Sequence, residues 1–191
     1  MPEFAGQARR FKAAGIALEE RTPRSCIDLR GDPGDPRFVH AVQSVTDLRL
    51  PGAAGASASG LLVSILWLGP DEWLVTSHTQ GGESLAASLR KALAGVAAAV
   101  TDVGHARLVY AVSGSNARAV LGKGCALDLH ERVFPLGRCA QSLLAKVPVI
   151  IHRSGAEPVF DLHVARSFRD YAWDWLQTAA SEYATRGAGG Q

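Results

Sequence analysis

The stretch LWLGPDEWLV (residues 66–75) places the tetrapeptide GPDE between two apolar runs, and it carries two of the four tryptophans of the chain. Adjacent glycine and proline mark turns, and the apolar runs on either side predict the two strands of a hairpin. With the turn centred on Pro70, Trp67 would face Trp73 across the hairpin. Facing aromatic pairs stabilise a sheet by roughly 0.2–1 kcal/mol. We therefore expect a structural clamp rather than a ligand pocket lined by indole rings.

Helix and strand signals on both sides of this hairpin extend it into a larger unit. Asp35 and Pro36 supply an N-cap and a first-turn proline for a helix that follows the strand SCIDLRG. The predicted elements are a strand at 25–31, a helix from residue 36, strands at 61–68 and 73–77, a helix at 81–94 and a strand at 96–103. This order, strand-helix-strand-strand-helix-strand, is that of a split βαβ, or ferredoxin-like, unit.

The same order of elements begins again after residue 103. The predicted elements there are strands at 106–114, 142–153 and 158–166, a short helix at 117–121 and a last helix at 167–185. We therefore expect an α+β fold in which two consecutive split βαβ (ferredoxin-like) units are fused in one domain. The predicted parts are an N-terminal arm or peripheral helix (1–24), the first unit (25–103), the second unit (104–185) and a flexible tail (186–191).

Bulk composition and cysteine spacing exclude several classes of protein. Of the 191 residues, 47% are apolar and 20% charged, as in ordinary globular chains. The net charge is only +2 and the basic residues are scattered, which argues against nucleic-acid binding. The longest apolar run, 61–68, is too short to cross a bilayer, and the first residues lack the apolar core of a secretory signal. Cys26, Cys125 and Cys139 are odd in number and widely spaced, so we expect reduced thiols in a cytoplasmic protein.

Candidate catalytic groups are few. The sequence contains neither GxGxxG nor GxxxxGK[ST], so no phosphate-binding loop is predicted. Asp128, His130 and Glu131 form the densest acid–base group, but the surrounding loop is rich in leucine and favours a hydrogen-bonded corner. Asp102 could pair with His105, although no serine or cysteine nucleophile is placed for them. We assign no catalytic, cofactor-binding or metal-binding residue to the chain.

The six histidines lack the spacing of a metal site. His152 and His163 lie on the two predicted strands of one hairpin. A turn at Ser154-Gly155 would place His163 across from Pro148 rather than from His152. A shared metal ion is therefore not expected.

The segment TDVGHARLVYAVSGSNARAVLGKGCALDL (101–129) resembles a stretch of aminomethyltransferase-type folate proteins, and three more specific segments are GPDEWLV (69–75), LDLHERVFPLG (127–137) and VARSFRDYAWDWL (164–176). Taken in order from about Leu61 to Leu176, they resemble the gamma subunit family of heterotetrameric sarcosine oxidase. That family is related in fold to the N-terminal part of aminomethyltransferase and other folate-binding proteins. The resemblance therefore implies an aminomethyltransferase-like fold.

The resemblance also implies a complex with alpha, beta and delta chains. In such a complex alpha carries NAD and a folate domain, beta carries the flavins FAD and FMN, and delta binds zinc. The complex would demethylate sarcosine oxidatively to glycine, with hydrogen peroxide and formaldehyde as products. With tetrahydrofolate present, the one-carbon unit would leave as methylenetetrahydrofolate. This chain would be a non-catalytic structural subunit without a cofactor of its own.

Two other functions remain open. One is a stand-alone folate-binding one-carbon transfer protein, and the other is a folate-fold module of an RNA-modification or iron–sulfur maintenance factor. Against the first, the turn HRSGAEP (152–158) offers Glu157 where folate transferases carry an aspartate pair. Against the second, the chain has no basic surface pattern and no reactive KGxxC loop, since GKGC (122–125) has a shorter spacing.

The last predicted helix offers a contact for a partner. A helical repeat gathers one apolar face from Phe168, Tyr171, Ala172, Trp175, Leu176, Ala179 and Tyr183. Trp173 falls roughly 130° away from that face, and tryptophan is among the commonest anchors at protein interfaces. We therefore expect Trp173, together with Arg169, to contact another subunit, the large alpha chain.

Overall fold

Eleven strands and five helices make up the part of the chain that the computed structural model describes, which is residues 8–23, 25–77 and 82–185. The strands are β1 (Arg10–Ala13), β2 (Ile16–Arg21), β3 (Ser25–Gly31), β4 (Ser57–Ser59), β5 (Val63–Gly69), β6 (Glu72–Ser77), β7 (Ala98–Asp102), β8 (Arg107–Ser113), β9 (Cys139–Leu144), β10 (Val147–Gly155) and β11 (Val159–Ala165). The helices are α1 (Pro36–Thr46), α2 (Gly82–Ala92), α3 (Ala117–Gly122), α4 (Arg169–Ala180) and α5 (Glu182–Thr185).

The strands form two antiparallel sheets. The first sheet has the order β4-β5-β6-β3-β7, and the second has the order β1-β2-β8-β11-β10-β9. Strands β6, β8 and β11 are buried along nearly their whole length, so both faces of each sheet are covered there, because side chains of successive residues point to opposite sides. The expected α+β fold class, in which helices combine with sheets, is therefore confirmed.

Helices cover the outer face of each sheet, and the two inner faces contact each other. Apolar residues of α1 and α2 share one core with strands of the first sheet, and those of α3 and α4 share another with the second sheet. A third, smaller cluster joins the inner faces; it consists of Cys26, Leu66 and Leu74 from the first sheet and Cys139 and Ile150 from the second. The layers are therefore helix, sheet, sheet, helix.

Residues 10–21 form a hairpin, where an arm or peripheral helix at 1–24 was expected; residues 1–7 and 24 of that arm lie outside the described residues. β1 pairs with β2, and β2 pairs with β8 in the middle of the second sheet. Ile16 and Leu18 are buried in the core under the helices, while Ala17 and Glu19 point to the other face. The apolar residues thus follow a period of two, which is why they fit a helical period poorly.

Residues 142–153, expected to be one strand, belong to two. β9 ends at Leu144, and Ala145 adopts a left-handed conformation with φ of 53° before β10 begins at Val147. Non-glycine residues rarely take that conformation. The turn therefore contains none of the residues that usually signal one.

The following hairpin is longer than predicted. The turn lies after Gly155 instead of at Ser154-Gly155, and a bulge between Arg153 and Gly155 shifts the register. As a result His163 faces Ile150 rather than Pro148. His152 faces Asp161, a pairing that the sequence did not predict.

The start of α1 is as predicted. Asp35 is the N-cap, its carboxylate accepts a hydrogen bond of 2.9 Å from the backbone N–H of Arg37, and Pro36 occupies the first turn. The last helix begins later than expected, because residues 166–168 form a 3₁₀ turn ahead of α4.

The two sheets draw on separate parts of the chain, with one exception. All strands of the first sheet lie within residues 25–103, and β8 to β11 lie within 104–185. The exception is the N-terminal hairpin, which completes the second sheet. The predicted tail at 186–191 lies outside the described residues.

Candidate functional site

The two tryptophans of the opening stretch form a structural pair. Trp67 and Trp73 face each other across the β5–β6 hairpin, as predicted. Trp73 is fully buried, its ring centroid lies 5.7 Å from that of Phe38, and its indole Nε1 donates a 2.8 Å hydrogen bond to the Pro51 carbonyl oxygen. Other residues of the chain therefore contact both the indole N–H and the ring of Trp73, so this ring does not line a ligand pocket.

The acid–base group in the loop after α3 is a hydrogen-bonded corner. The Asp128 carboxylate accepts a 2.8 Å bond from the backbone N–H of His130, and His130 Nδ1 accepts a bond of 3.3 Å from the N–H of Arg132. Glu131 lies 3.6 Å from Arg118. All three acid–base side chains are exposed. Such contacts shape a turn, and they leave no shared cleft in which a substrate would be held.

Asp102 and His105 do not act as a pair. The Asp102 carboxylate accepts the backbone N–H of Gly104 at 2.8 Å, while the His105 carbonyl oxygen accepts a bond from Arg166. Both side chains are exposed. Their role is to close the 3₁₀ turn between β7 and β8.

The last helix buries part of the predicted face, namely Ala172, Leu176 and Tyr183, but its buried side is shifted toward Trp173. Trp173, expected to be exposed, is only 6% exposed and belongs to the main core, with its ring centroid 5.7 Å from that of Tyr110. Phe168 and Tyr171, expected in the core, are 38% and 45% exposed. The helix carries aromatic residues on several sides, and the N-terminal hairpin supplies the cover that decides which of them are buried.

Arg169 also has a partner within the chain. Its Nε and Nη2 donate bonds of 3.0 and 2.8 Å to one oxygen of the buried Glu20 carboxylate on β2, and this pairing raises the pKa of Arg169. Its carbonyl oxygen accepts a 2.6 Å bond from the Tyr110 hydroxyl. Close by, Arg9 donates to Asp170 at 2.5 Å. These ionic contacts fasten the N-terminal hairpin to α4.

A cluster that the sequence analysis missed lies between the two sheets. The hydroxyl of Ser57 on β4 is 3.0 Å from Nε2 of His152 on β10, and His152 faces Asp161 on β11. Burial lowers the pKa of His152, and the negative charge of Asp161 opposes that shift. The sequence spacing does not predict this cluster, because Ser57 lies about a hundred residues before His152 and Asp161.

Serine, histidine and aspartate are also the members of a hydrolytic triad, but here the serine proton is engaged elsewhere. The Ser57 hydroxyl donates a 2.7 Å bond to the Gly137 carbonyl oxygen. A hydroxyl has one proton to donate, so His152 Nε2 acts as the donor toward Ser57. His152 is also buried. The cluster therefore joins the two sheets instead of activating a nucleophile.

The three cysteines are free and buried. Burial raises the pKa of Cys26 to about 12 and that of Cys139 to about 11. The Cys139 thiol donates weakly to the carbonyl oxygens of Ala56 and Trp67, at 3.3 and 3.5 Å. A thiol in such surroundings stays protonated and is a poor nucleophile or metal ligand.

The described residues contain neither a candidate metal site nor a membrane-spanning helix. Residues 8–23, 25–77 and 82–185 contain no group of three or more metal-ligating side chains. Within the same ranges, every helix is too short or too polar to cross a bilayer.

Comparisons with known proteins place this fold in a family. Residues 30–182 match the profile of the sarcosine oxidase, gamma subunit family. The chain belongs to this family. Among curated relatives, the sarcosine oxidase subunit gamma of Corynebacterium sp. (strain P-1) is 34% identical over 174 residues, covering 91% of this chain and 84% of the relative. The subunit gamma of an Arthrobacter species is 32% identical over 176 residues, with the same coverage of both chains.

Solved structures agree with the sequence comparisons. A chain of the heterotetrameric sarcosine oxidase from Corynebacterium sp. U-96, solved in complex with pyrrole 2-carboxylate, superposes with a TM-score of 0.82 at 31% identity, covering 91% of this chain and 88% of that one. The glycine cleavage system aminomethyltransferase T from Bartonella henselae superposes with a TM-score of 0.62 at 18% identity, covering 82% of this chain and 44% of that one. The second likeness shows a shared fold, which confirms the expected aminomethyltransferase-like fold.

Proposed function

We propose that this chain is the gamma subunit of a heterotetrameric sarcosine oxidase and that it serves assembly rather than chemistry. The observation that carries the proposal is its superposition, over 91% of its length, on a chain of that complex. Its acid–base groups are used in turns and in the joint between the sheets. A structural subunit needs a stable fold and surfaces for its partners, and it needs no reactive group of its own.

In the proposed complex the oxidative demethylation of sarcosine takes place on other chains. The flavins FAD and FMN belong to the beta subunit, NAD and the tetrahydrofolate domain to alpha, and zinc to delta. The products are glycine, hydrogen peroxide and formaldehyde or methylenetetrahydrofolate. The cytoplasm is the proposed location. The stand-alone folate transferase is the weaker candidate, because the likeness to aminomethyltransferase is at 18% identity and covers under half of that protein.

We also propose that each sheet is built on a split βαβ unit. In the first sheet β3 lies between β6 and β7, with β5 beyond β6, which is the order that such a unit gives. In the second sheet β8 lies between β11 and β2. There the N-terminal β2 occupies the place that the first unit fills with β7.

The contact of Trp173 and Arg169 with the alpha subunit stays a prediction. Both side chains form contacts within the chain, so a partner subunit would contact mainly the exposed residues around them. Tyr171, which is 45% exposed on the same helix, is one of these residues.

The proposed function is tested by expressing the four chains together and then omitting this one. We expect omission to lower the yield of assembled oxidase, and addition of the purified subunit to restore sarcosine-dependent peroxide production. The purified subunit alone should show no flavin absorbance and no oxidase activity. A stoichiometric flavin in the isolated subunit, or full assembly without it, would contradict the proposal.

A further inference from the structure

A groove of about 440 Å³ runs along the N-terminal hairpin. Its floor consists of small side chains, Ala17 on β2 and Ala111 and Ser113 on β8. The floor lies on the face of the second sheet that is turned away from α3 and α4. Ala111 and its cross-strand partner Asp161 point to this face, because the neighbours Tyr110 and Val112 belong to the core on the helix side. We call this feature the hairpin groove. Small side chains on a sheet leave room for something to lie against the backbone.

The rim of the hairpin groove is basic. Arg10, Lys12 and Arg21 line it together with the Glu19 carboxylate, and Arg21 also lies 3.7 Å from the buried Asp161 carboxylate, so three positive charges meet two negative charges. Glu19 is shared by Arg21 at 2.7 Å and Arg10 at 2.9 Å, and the hydrogen bond from Arg21 is the main reason that the pKa of Glu19 is lowered. Lys12 is exposed and makes no ion pair with any of the described residues. The groove therefore attracts anions.

The groove also borders an open sheet edge. Among the described strands, β1 is the end strand of the second sheet and pairs with β2 alone. An end strand presents unpaired backbone groups, to which an extended segment of another chain can add as a further strand. A basic rim beside a free edge suits an extended segment that carries acidic side chains.

We propose that the hairpin groove is the docking site of an acidic, extended segment from another subunit of the complex. The proposal rests on the proposed function, since it takes its partner from the assembly. Complementary charges across an interface speed association and fix orientation more than they raise the final affinity. Lys12, which is free of internal ion pairs among the described residues, contributes most directly to that attraction.

The test compares two charge reversals in the complete complex. Lys12→Glu changes the rim of the groove, whereas Lys146→Glu changes an exposed lysine in the turn between β9 and β10, far from it in the sheet order. The rate of association of the purified subunit with co-expressed alpha, beta and delta chains is measured at about 50 mM and about 0.5 M salt. We expect Lys12→Glu to slow association about three- to tenfold at the lower salt concentration only. Lys146→Glu should match the wild type, and both variants should keep the wild-type melting temperature.

Several outcomes would overturn the inference. Equal rates for Lys12→Glu and the wild type would show that the groove is not an interface, with the proposed function intact. A changed self-association of the subunit in sedimentation experiments, with normal binding of the other chains, would mean that a second copy occupies the groove. Failure of the wild-type subunit to bind the other chains would overturn the proposed function and this inference together.

Discussion

The Ser57 hydroxyl, the His152 ring and the Asp161 carboxylate meet where the two sheets contact each other. The hydroxyl donates to Gly137, so the ring supplies the proton of the 3.0 Å contact. A neutral imidazole fits this place, because a buried charge would need full compensation. Ser57 and His152, two of the residue types that carry out hydrolysis elsewhere, here hold β4 and β10 together.

Burial of His152 predicts a pH dependence of stability. Because the folded-state pKa is lowered below the usual 6.5, the unfolded chain takes up a proton first as the pH falls. The stabilisation is complete above about pH 6.5 and is lost as the pH decreases toward the folded-state pKa, with a slope of at most about 1.4 kcal/mol per pH unit. Urea denaturation of the wild type and of His152→Gln between pH 7.5 and pH 5 measures it.

The exposed His130 provides the control for that experiment. His130→Gln should leave the pH slope of the wild type unchanged, whereas His152→Gln should flatten it. Identical slopes for His152→Gln and the wild type would show that the ring remains accessible to protons in the folded chain.

At the scale of elements, the N-terminal hairpin and α4 stabilise each other. The hairpin provides Glu20 for Arg169 and Arg9 for Asp170, and it covers the side of the helix that carries Trp173. In return the helix covers the buried face of β2, which includes Leu18. Neither element would be well packed without the other.

This mutual packing predicts a large effect for Trp173→Ala. Removing a buried tryptophan costs about 3–5 kcal/mol, and Trp173 is 6% exposed. Tyr171→Ala, on the same helix but 45% exposed, should change stability by about 0.5 kcal/mol or less. Thermal and urea unfolding of the isolated subunit compare the two. If Trp173→Ala unfolds like the wild type yet fails to assemble, Trp173 belongs to an interface after all.

The sequence predicts what is local and misses what depends on distant partners. The Asp35-Pro36 helix start and the Trp67–Trp73 pairing follow from residues within one turn of each other, and both are found. The buried side of α4 depends on β2, which lies about 150 residues earlier in the chain. The helix bears aromatic residues on several sides, so its own periodicity cannot select a face without knowledge of that cover.

The candidate site shows the same limit. The corner at Asp128 and His130 is predicted, since its hydrogen bonds run between neighbours. The Ser57–His152 contact is not predicted, because it needs the packing of one sheet on the other. Within the β10–β11 hairpin, the bulge between Arg153 and Gly155 changes which residue faces His163. No glycine–proline pair in the sequence predicts that bulge.

For the whole molecule, the second sheet obtains two of its strands, β1 and β2, from the opposite end of the chain. β2 takes the position beside β8, and α5, the last helix described, lies close to β1. In the second sheet β2 thus lies beside β8, as β7 lies beside β3 in the first sheet.

That arrangement predicts that the hairpin can be moved to the other terminus. A variant with residues 8–23 placed behind Thr185 through a glycine–serine linker should keep the circular dichroism spectrum and a cooperative melting transition, since permutation preserves the pairing with β8. Simple deletion of residues 8–23 should expose the edge of β8 and cause aggregation. An insoluble permuted chain, beside a soluble wild type of the same yield, would argue that the hairpin must fold first.

The pairing of β2 with β8 also sets an order of events during synthesis. Ala17 to Arg21 leave the ribosome early, but Val109 to Ser113, with which they pair, are made about 90 residues later. At about 5–20 residues per second, the hairpin waits roughly 5–20 s while the whole first sheet can complete itself. During that interval the edge of β2 that will pair with β8 has no partner, and Ile16 and Leu18 lack the core that later buries them. The chaperones that meet the nascent chain at the tunnel exit are therefore expected to hold this segment in particular.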